Sequence, residues 1–305
     1  MCRAISDAVR EDRSVTTEAP ELSIVIVSYE CKRYLLDLLG DLAKTRGDLA
    51  FDVHVIDNAS HDGTPDAVRA AHPWVALTAL PENIGFGRAN NLGIADACAE
   101  TVLLLNPDTR VTGHALRACL DEMGRSPDIG ILTPRVVDEH GVFDRRCMRG
   151  FPTLWGVFCH VSGLDHVLRD RRSRRYTLGW LPDDLAADVE AVSGAVMFCR
   201  ADALHQVGGF DERFFMYGED IDLCLRIAES GWQIHYWPGT NLTHLGGRSG
   251  TTSRSRRAWA TAIGAINRTH RDGLGACLGA ATADFFGYLI AVRQHFAGPP
   301  TDRLH

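Results

Sequence analysis

The fold of this chain is decided by residues 22–60, LSIVIVSYECKRYLLDLLGDLAKTRGDLAFDVHVIDNAS. Residues 22–29 are a short, unbroken run rich in β-branched side chains, which is typical of a strand buried on both faces. Residues 33–45 are leucine-rich with helical spacing, and residues 52–60 begin as a second apolar strand and end in turn residues. A strand, a helix and a second strand at this spacing predict a βαβ unit with a parallel sheet.

The same alternation continues along the next part of the chain. Further strands are predicted at 74–82, 101–109 and 129–137, with helices between them. We therefore expect an α/β fold in which a mostly parallel sheet is flanked by helices. Ligands of such sheets bind at the carboxyl ends of the strands, although polar residues and proline also end strands that bind nothing. The predicted strand ends read Ser28–Tyr29, Asp57–Asn58, Glu82–Asn83 and Asn106–Pro107–Asp108.

Composition and charge exclude some classes of protein. The chain has 305 residues, which is enough for one large domain or two smaller ones. Its net charge of −7 argues against a nucleic-acid-binding protein. Its nine cysteines include no C-x-x-C pair, so neither a zinc ribbon nor a redox motif is supported. The cysteines show no pattern typical of disulfides, and the N-terminal segment, MCRAISDAVREDRS, is polar and lacks the apolar core of a signal peptide. Both features predict a cytoplasmic protein.

A second diagnostic stretch is GGFDERFFMYGEDIDLCLRIAESGW, residues 208–232. Glu219 and Asp220 follow a glycine and open an amphipathic helix, and His244 lies 24 residues after Asp220. Together with Asp108, these side chains are suited to metal binding and general-base catalysis. Acids in the first turn of any helix are also stabilised by the helix dipole, so the stretch alone fits an ordinary helix start as well.

Six segments in a fixed order carry a family resemblance. They are IVIVSYE, VIDNASHDGT, ENIGFGRANNLGI, LLLNPDT, GGFDERFFMYGEDIDLCLR and LTHLGG. In this order and spacing, over residues 22–248, the chain resembles the inverting family 2 glycosyltransferases of the GT-A fold, and among them the rhamnosyltransferases. The resemblance implies transfer of rhamnose or another deoxysugar from a TDP- or UDP-sugar donor. The implied acceptor is a hydroxyl of a glycan or a lipid-linked sugar in cell-envelope or polysaccharide synthesis.

The resemblance also assigns roles to individual residues. Asp220 would be the general base that takes the proton of the acceptor hydroxyl, with Glu219 as the competing candidate. Asp108 stands at the last acid of the family's D-x-D metal motif, whereas Asn106 replaces the first acid, which weakens the expected metal site. Asp108 and His244 would hold Mn²⁺ or Mg²⁺ together with the donor diphosphate. The implied donor-binding residues are Ser28, Tyr29, Asp57, Asn58, Asn83, Gly85, Arg88, Asn90, Asn106 and Asp108.

Two other functions are the alternatives at this point. A nucleotidyltransferase is disfavoured, because its glycine-rich, lysine-containing loop is expected where this chain reads SYECKRYLL. A non-catalytic nucleotide-sugar-binding protein is kept open by Asn106, although Asp108, Asp220 and His244 are all present. A processive polysaccharide synthase is disfavoured because the sequence contains no Q-x-x-R-W segment.

We expect three regions along the chain. They are a disordered tail at 1–20, the GT-A catalytic domain at 21–248 and a helical region at 249–305. Within the catalytic domain, the arginine-rich stretch 140–190 predicts long loops.

The last of these regions predicts a peripheral contact with the membrane. Residues 244–273 contain six arginines and one aspartate, and the apolar run 273–292 follows directly. Arginines beside an apolar face attract anionic headgroups. A homodimer interface and a helix that closes the catalytic core are the alternatives. Asp284 and four glycines within the apolar run disfavour a membrane-spanning helix.

Overall fold

The computed structural model describes residues 19–246 and 253–270. The predicted tail, apart from its last two residues, and the apolar run 273–292 lie outside the described residues. The helices are α1 Lys32–Thr45, α2 Thr64–Ala71, α3 Phe86–Asp96, α4 Gly113–Arg125, α5 Leu154–Ser162, α6 Ala201–Val207, α7 Glu219–Glu229 and α8 Ser253–Thr269. The strands are β1 Leu22–Ser28, β2 Phe51–Asp57, β3 Ala76–Ala79, β4 Thr101–Leu105, β5 Thr109–Arg110, β6 Ile129–Val137, β7 Met148–Arg149, β8 Ala187–Asp188, β9 Ala191–Val192, β10 Val196–Arg200 and β11 Gln233–His244.

The main sheet is mixed, and its first half is parallel. Its strand order is β3-β2-β1-β4-β10-β6-β11-β5, with β8 beside β11. Strands β1 to β4 run parallel to one another, as the βαβ pattern predicts. The sheet turns antiparallel at β10, which pairs with both β4 and β6. Because β10 is reversed, its first residue, Val196, pairs with Leu105 at the carboxyl end of β4, where ligands of such sheets bind.

Strand β1 separates two hydrophobic layers. Leu22, Ile24 and Ile26 contact the layer that contains α1, α2 and α4. Val25 contacts the opposite layer, which contains α3, α6, α7 and α8. All four side chains are fully buried, which is the state that the unbroken apolar run predicts. Helices on both faces therefore leave the strand ends as the exposed edge of the sheet.

Helix α8 lies beyond residue 248 and packs against this core. Asn267 is fully buried and donates from Nδ2 to the carbonyl oxygen of Pro152 at 2.9 Å. His270 bonds the carboxylates of Asp222 and Glu229 on α7, each at 2.9 Å. These hydrogen bonds, that of Asp222 first, raise the pKa of His270. Helix α8 is thus a helix that closes the core, and its buried apolar residues are Ala260, Ala262, Ile263 and Ile266.

The prediction of membrane contact concerns mainly residues outside the described ranges, including Arg248 and Arg271. Within the ranges that the structure describes, no helix has both the length and the apolar character needed to cross a membrane.

Gly93 allows α3 to lie close against strand β1. A Cβ at this position would lie 2.4 Å from Cγ1 of Val25, so Gly93→Ala should lower the free energy of unfolding by about 1–3 kcal/mol. The loss should exceed the helix propensity that alanine gains over glycine, roughly 1 kcal/mol. Urea denaturation measures it. Gly124→Ala in α4 is the control, because nothing lies within 4 Å of its Cβ. Equal stabilities of the two variants would contradict the prediction.

Candidate active site

The carboxyl ends of β1 and β2 form the first part of the site. Asp57 is 1% exposed, and its Oδ2 accepts from the backbone N–H of Ser60 at 2.9 Å. Its Oδ1 is buried with no hydrogen-bond partner among the described residues. A buried acceptor without a partner is costly, so a donor group of a ligand would satisfy it. Ser28 is buried against Cys31, with Oγ and Sγ 3.3 Å apart, and Tyr29 beside it is 49% exposed.

Two predicted donor-binding asparagines shape the neighbouring loop. Asn58 donates from Nδ2 to Oδ1 of Asn83 at 3.0 Å and to the carbonyl oxygen of Gly85 at 3.2 Å. Its Oδ1 accepts from the backbone N–H of Ile84 at 2.9 Å. Oδ1 of Asn83 also accepts from the backbone N–H of Gly85 at 3.0 Å. These amides therefore hold the loop in a fixed shape at the end of β2.

Gly85 and Gly87 bring this loop against the stretch 208–219. Gly85 has a φ of +92°, and a Cβ there would lie 2.6 Å from the carbonyl oxygen of Phe215. That oxygen accepts from the backbone N–H of Phe86 at 3.0 Å. A Cβ at Gly87 would lie 3.7 Å from Cβ of Glu219. Glycine is needed at 85 both for the positive φ and for the close approach.

The two predicted donor-binding residues on α3 differ in exposure. Arg88 is 58% exposed in its side chain, and its Nε lies 3.3 Å from Oε2 of Glu212. Asn90 is buried and donates from Nδ2 to the carbonyl oxygen of Phe86 at 3.0 Å. Arg88 is therefore accessible to a ligand, whereas the amide of Asn90 stabilises the first turn of its own helix.

Asp108 and His244 meet at the end of β11. Strand β5 pairs Thr109 with His244, which places Asp108 beside the histidine. Nε2 of His244 lies 3.1 Å from Oδ1 of Asp108, and the two side chains are 14% and 17% exposed. Burial, with a contribution from the Asp108 carboxylate, raises the pKa of the Cys31 thiol. Asp108 follows β4, which pairs in parallel with β1, so it lies at the same edge of the sheet as the carboxyl end of β1. In residues 19–246 and 253–270, no cluster of three or more His, Cys, Asp or Glu side chains is placed to bind a metal.

The residues that lead into β10 connect Asn106 with Asp220. The backbone N–H of Asn106 donates to the carbonyl oxygen of Ala195 at 2.9 Å. The preceding residue, Gly194, donates its N–H to Oδ2 of Asp220 at 3.1 Å. Oδ1 of Asp220 accepts from the N–H of Ile221 at 2.8 Å. The Asp220 carboxylate is thus fixed by two backbone donors. One of them, Gly194, directly precedes Ala195, whose carbonyl oxygen bonds Asn106.

The start of α7 depends on two residues in the left-handed region. Tyr217 and Gly218 have φ values of +71° and +85°, a costly conformation for tyrosine and an easy one for glycine. A Cβ at Gly218 would lie 2.8 Å from Cβ of Ala262 on α8, so α8 backs this turn. The turn places Glu219 and Asp220 in the first helical turn, where the dipole favours negative charge.

The two adjacent acids have different environments. Burial, and then the neighbouring charge of Asp220, raises the pKa of Glu219 to about 8. Oε2 of Glu219 has no hydrogen-bond partner among the described residues. Burial also raises the pKa of Asp220, but the N–H groups of Gly194 and Ile221 and the charge of Arg149 oppose this. Near neutral pH Glu219 is therefore protonated, whereas the hydrogen bonds from two backbone N–H groups favour the ionised form of Asp220.

Sequence reasoning missed the segment Asp144–Arg149 and the turn at Ser193–Gly194. Both lie at the site, because Ser193 donates its N–H to the carbonyl oxygen of Cys147 at 3.0 Å and Gly194 bonds Asp220. The available signal was the basic run DRRCMR, inside a stretch that predicts only long loops. Asp222, in the first turn of α7, pairs with Arg226, with Oδ2 and Nε 2.7 Å apart.

Comparisons with known sequences also indicate a glycosyltransferase. The family described as "Glycosyltransferase like family 2" matches residues 20–268. The N-acetylglucosaminyl-diphospho-decaprenol L-rhamnosyltransferase of Mycobacterium tuberculosis H37Rv is 32% identical over 244 residues, 73% of this chain and 75% of that protein. The rhamnosyltransferase WbbL of Escherichia coli K12 is 43% identical over 233 residues, 72% of this chain and 82% of that protein. These matches favour a glycosyltransferase over a nucleotidyltransferase or a non-catalytic binding protein.

Solved structures with the same fold are more distant in sequence. The mannosyltransferase PcManGT from Pyrobaculum calidifontis, in complex with GDP-Man and Mn²⁺, is 19% identical with a TM-score of 0.58, over 95% of this chain and 80% of that chain. S. aureus TarS 1-349 in complex with UDP-GlcNAc is 17% identical with a TM-score of 0.53, over 92% of this chain and 74% of that chain. This chain belongs to glycosyltransferase family 2 and is a glycosyltransferase of the GT-A fold.

Proposed function

We propose that this enzyme transfers rhamnose, or another deoxysugar, from a TDP- or UDP-linked donor to a hydroxyl of a lipid-linked acceptor. The sugar and the acceptor class are supported by two relatives named as rhamnosyltransferases, one of them for a diphospho-decaprenol-linked sugar. A lipid-linked acceptor would bring the enzyme to the cytoplasmic face of the membrane. The observation that carries the catalytic assignment is the Asp220 carboxylate, held by two backbone donors beside the protonated Glu219.

The reaction needs one base and no covalent intermediate. The acceptor oxygen would attack the anomeric carbon on the face opposite the diphosphate, while the carboxylate of Asp220 takes the proton of the hydroxyl. The bond between the anomeric carbon and the diphosphate oxygen breaks, and its electron pair stays on the departing nucleoside diphosphate. The single displacement inverts the configuration at that carbon, as in the family to which the chain belongs. Glu219, being protonated, would act by packing and by excluding a second negative charge.

The donor would occupy the strand ends from β1 to β4. The free Oδ1 of Asp57 is suited to a base N–H, and the exposed ring of Tyr29 to stacking on the base. Gly85 allows the donor to approach the backbone closely, and Arg88 is accessible to a phosphate. The remaining residues proposed to shape or line the donor site are Ser28, Asn58, Asn83, Asn90, Asn106 and Asp108.

The side chains of Asp108 and His244 fit a divalent cation. Their donor atoms, Oδ1 and Nε2, already converge to 3.1 Å, and a carboxylate with an imidazole suits Mn²⁺ better than Mg²⁺. Because only two such side chains meet here among the described residues, the donor diphosphate would have to supply further oxygens. A bound cation would act as a Lewis acid on the leaving diphosphate.

A donor assay tests the proposed function. The protein is incubated with TDP-rhamnose, UDP-GlcNAc or GDP-mannose, with Mn²⁺ or EDTA, and with a polyprenyl-diphosphate-linked sugar in anionic vesicles. We expect TDP-rhamnose to be consumed in Mn²⁺ and the lipid-linked sugar to gain one residue. Use of GDP-mannose or UDP-GlcNAc instead would overturn the proposed donor. Consumption of TDP-rhamnose with a water-soluble glycan but not with the lipid-linked sugar would overturn the proposed acceptor.

A further inference from the structure

Residues 144–149 bring a cationic side chain to the Asp108–His244 pair. A short 3₁₀ turn at Arg145–Cys147 is capped by Asp144, whose Oδ1 accepts from the backbone N–H of Arg146 at 2.9 Å. The carbonyl oxygen of Cys147 accepts from the N–H of Ser193 at 3.0 Å. Because Ser193 directly precedes the glycine that bonds Asp220, this turn is fixed to the backbone of the active site.

The guanidinium of Arg146 lies beside His244. A Cβ at Gly246 would lie 3.2 Å from Nη2 of Arg146 and 3.4 Å from Nδ1 of His244, so both side chains border the same glycine. The carboxylate of Asp108 adds to the stronger effect of Asp144 in raising the pKa of Arg146. Arg146, His244 and Asp108 therefore surround one small region, in which the absence of a side chain at position 246 keeps space open.

One edge of this guanidinium is held and the other is free to bind. Asp144 accepts from Nε at 2.8 Å and from Nη2 at 2.8 Å. Of the five N–H groups of an arginine, the remaining three make no hydrogen bond to any residue that the structure describes. The side chain is 62% exposed. The second N–H of Nη2, the atom nearest to Gly246, and the two N–H groups of Nη1 are the coplanar donors left for the oxygens of a diphosphate.

The neighbouring Arg145 has a different role from Arg146, because its guanidinium binds backbone carbonyl oxygens. Nη1 of Arg145 donates to the carbonyl oxygens of Leu178 and Leu181 at 3.2 and 3.0 Å. Its guanidinium also lies over the ring of Phe143, 5.3 Å from the centroid. Arg145 is therefore used to hold the loop around residues 178–181, whereas Arg146 is turned towards the site.

We propose that Arg146 binds the diphosphate of the donor and stabilises the negative charge that develops on it as the sugar departs. This inference rests on the proposed glycosyl transfer and deepens it. Asn106 stands where the family has an acidic ligand, so a cation at Asp108 and His244 is held by fewer negative charges. A fixed positive charge at Arg146 acts on the same leaving group without a metal, and preorganised charge of this kind lowers the barrier.

Arg146→Gln tests the inference through binding, without turnover. Calorimetry measures the affinity for TDP and UDP, and for the phosphate-free nucleosides thymidine and uridine, in EDTA and in Mn²⁺. We expect the variant to bind the preferred nucleoside diphosphate about 10- to 100-fold more weakly in both buffers, as for loss of hydrogen bonds to a charged group. Binding of the nucleoside should be unchanged. Arg146→Lys should recover part of the loss, because it keeps the charge but not the fork.

Arg213→Gln is the matched control. Asp211 accepts from the backbone N–H and from Nε of Arg213 at 2.9 and 3.0 Å, which repeats the local arrangement of Asp144 with Arg146. The two variants should lose similar stability, but only Arg146→Gln should lose affinity for the diphosphate. Wild-type affinity in Arg146→Gln, or an equal loss of nucleoside binding, would overturn the inference alone. A wild-type protein that binds neither diphosphate would overturn the proposed donor site itself.

Discussion

Asp220→Asn is expected to lower kcat by about 10²- to 10⁴-fold, as is typical when a general base is removed. The amide has nearly the same size as the carboxylate and can still accept the N–H of Gly194 or of Ile221, but it cannot take the proton of the acceptor. Binding of the nucleoside diphosphate should therefore be nearly unchanged. Initial rates of sugar transfer and calorimetric affinities, measured on the same preparation, separate the two effects.

Glu219→Gln is the control for this experiment. Because burial keeps Glu219 protonated near neutral pH, glutamine reproduces the neutral side chain. The activity of Glu219→Gln should therefore stay within about tenfold of the wild type, a much smaller decrease than the one expected when a general base is removed. An inactive Glu219→Gln beside an active Asp220→Asn would move the role of the base to Glu219.

The pH dependence of kcat/KM provides an independent check on the same pair. A base must be ionised to act, so activity is present above the pKa of Asp220 and is lost as the pH falls through it. Since burial raises that pKa, the acidic limb should lie above the usual range of an aspartate. Glu219→Gln should leave the limb in place, because Glu219 is neutral while Asp220 titrates. A limb in the ordinary aspartate range would contradict the raised pKa of Asp220.

The sequence predicts the parallel half of the sheet well, because its information is local. The unbroken apolar run at β1 indicates that both faces of this strand are buried by other elements. The polar residues after β1, β2 and β4 indicate where those strands end. The direction of β10 could not be predicted in this way. A short run such as VMFCR, buried except for its last residue, has the same pattern whether the strand runs parallel or antiparallel to its neighbours. The direction of the strand is decided by its pairing with β4 and β6.

The same limit explains what was missed in the site. Motif spacing suggested Asp108, Asp220 and His244 as site residues, and the structure places all three at one edge of the sheet. The approach of the Arg146 side chain to Gly246 brings together residues 100 positions apart, and the sequence near either residue does not indicate it. The amides of Asn58 and Asn83 show the converse, because a motif marks such residues as important without saying that they bond each other rather than a ligand.

The second large effect concerns metal-dependent binding of the nucleoside diphosphate. Asp108→Asn and His244→Ala should each weaken the affinity for the diphosphate in Mn²⁺ by at least about 10- to 100-fold. Losses of that size already follow from changing residues that only support a metal ligand. In EDTA the same two variants should bind like the wild type, because no cation is left to lose. Calorimetry in both buffers measures the difference.

This dependence on the buffer distinguishes the cation from the arginine. The effect of Arg146→Gln should persist in EDTA, whereas the effects of Asp108→Asn and His244→Ala should disappear there. Asn106→Asp is the companion change: it restores a negative charge beside Asp108 and should tighten Mn²⁺ binding if its side chain faces the site. If EDTA leaves both the affinity and the turnover of the wild type unchanged, the proposed cation site is wrong. Stabilisation of the leaving diphosphate would then fall to fixed positive charge such as that of Arg146.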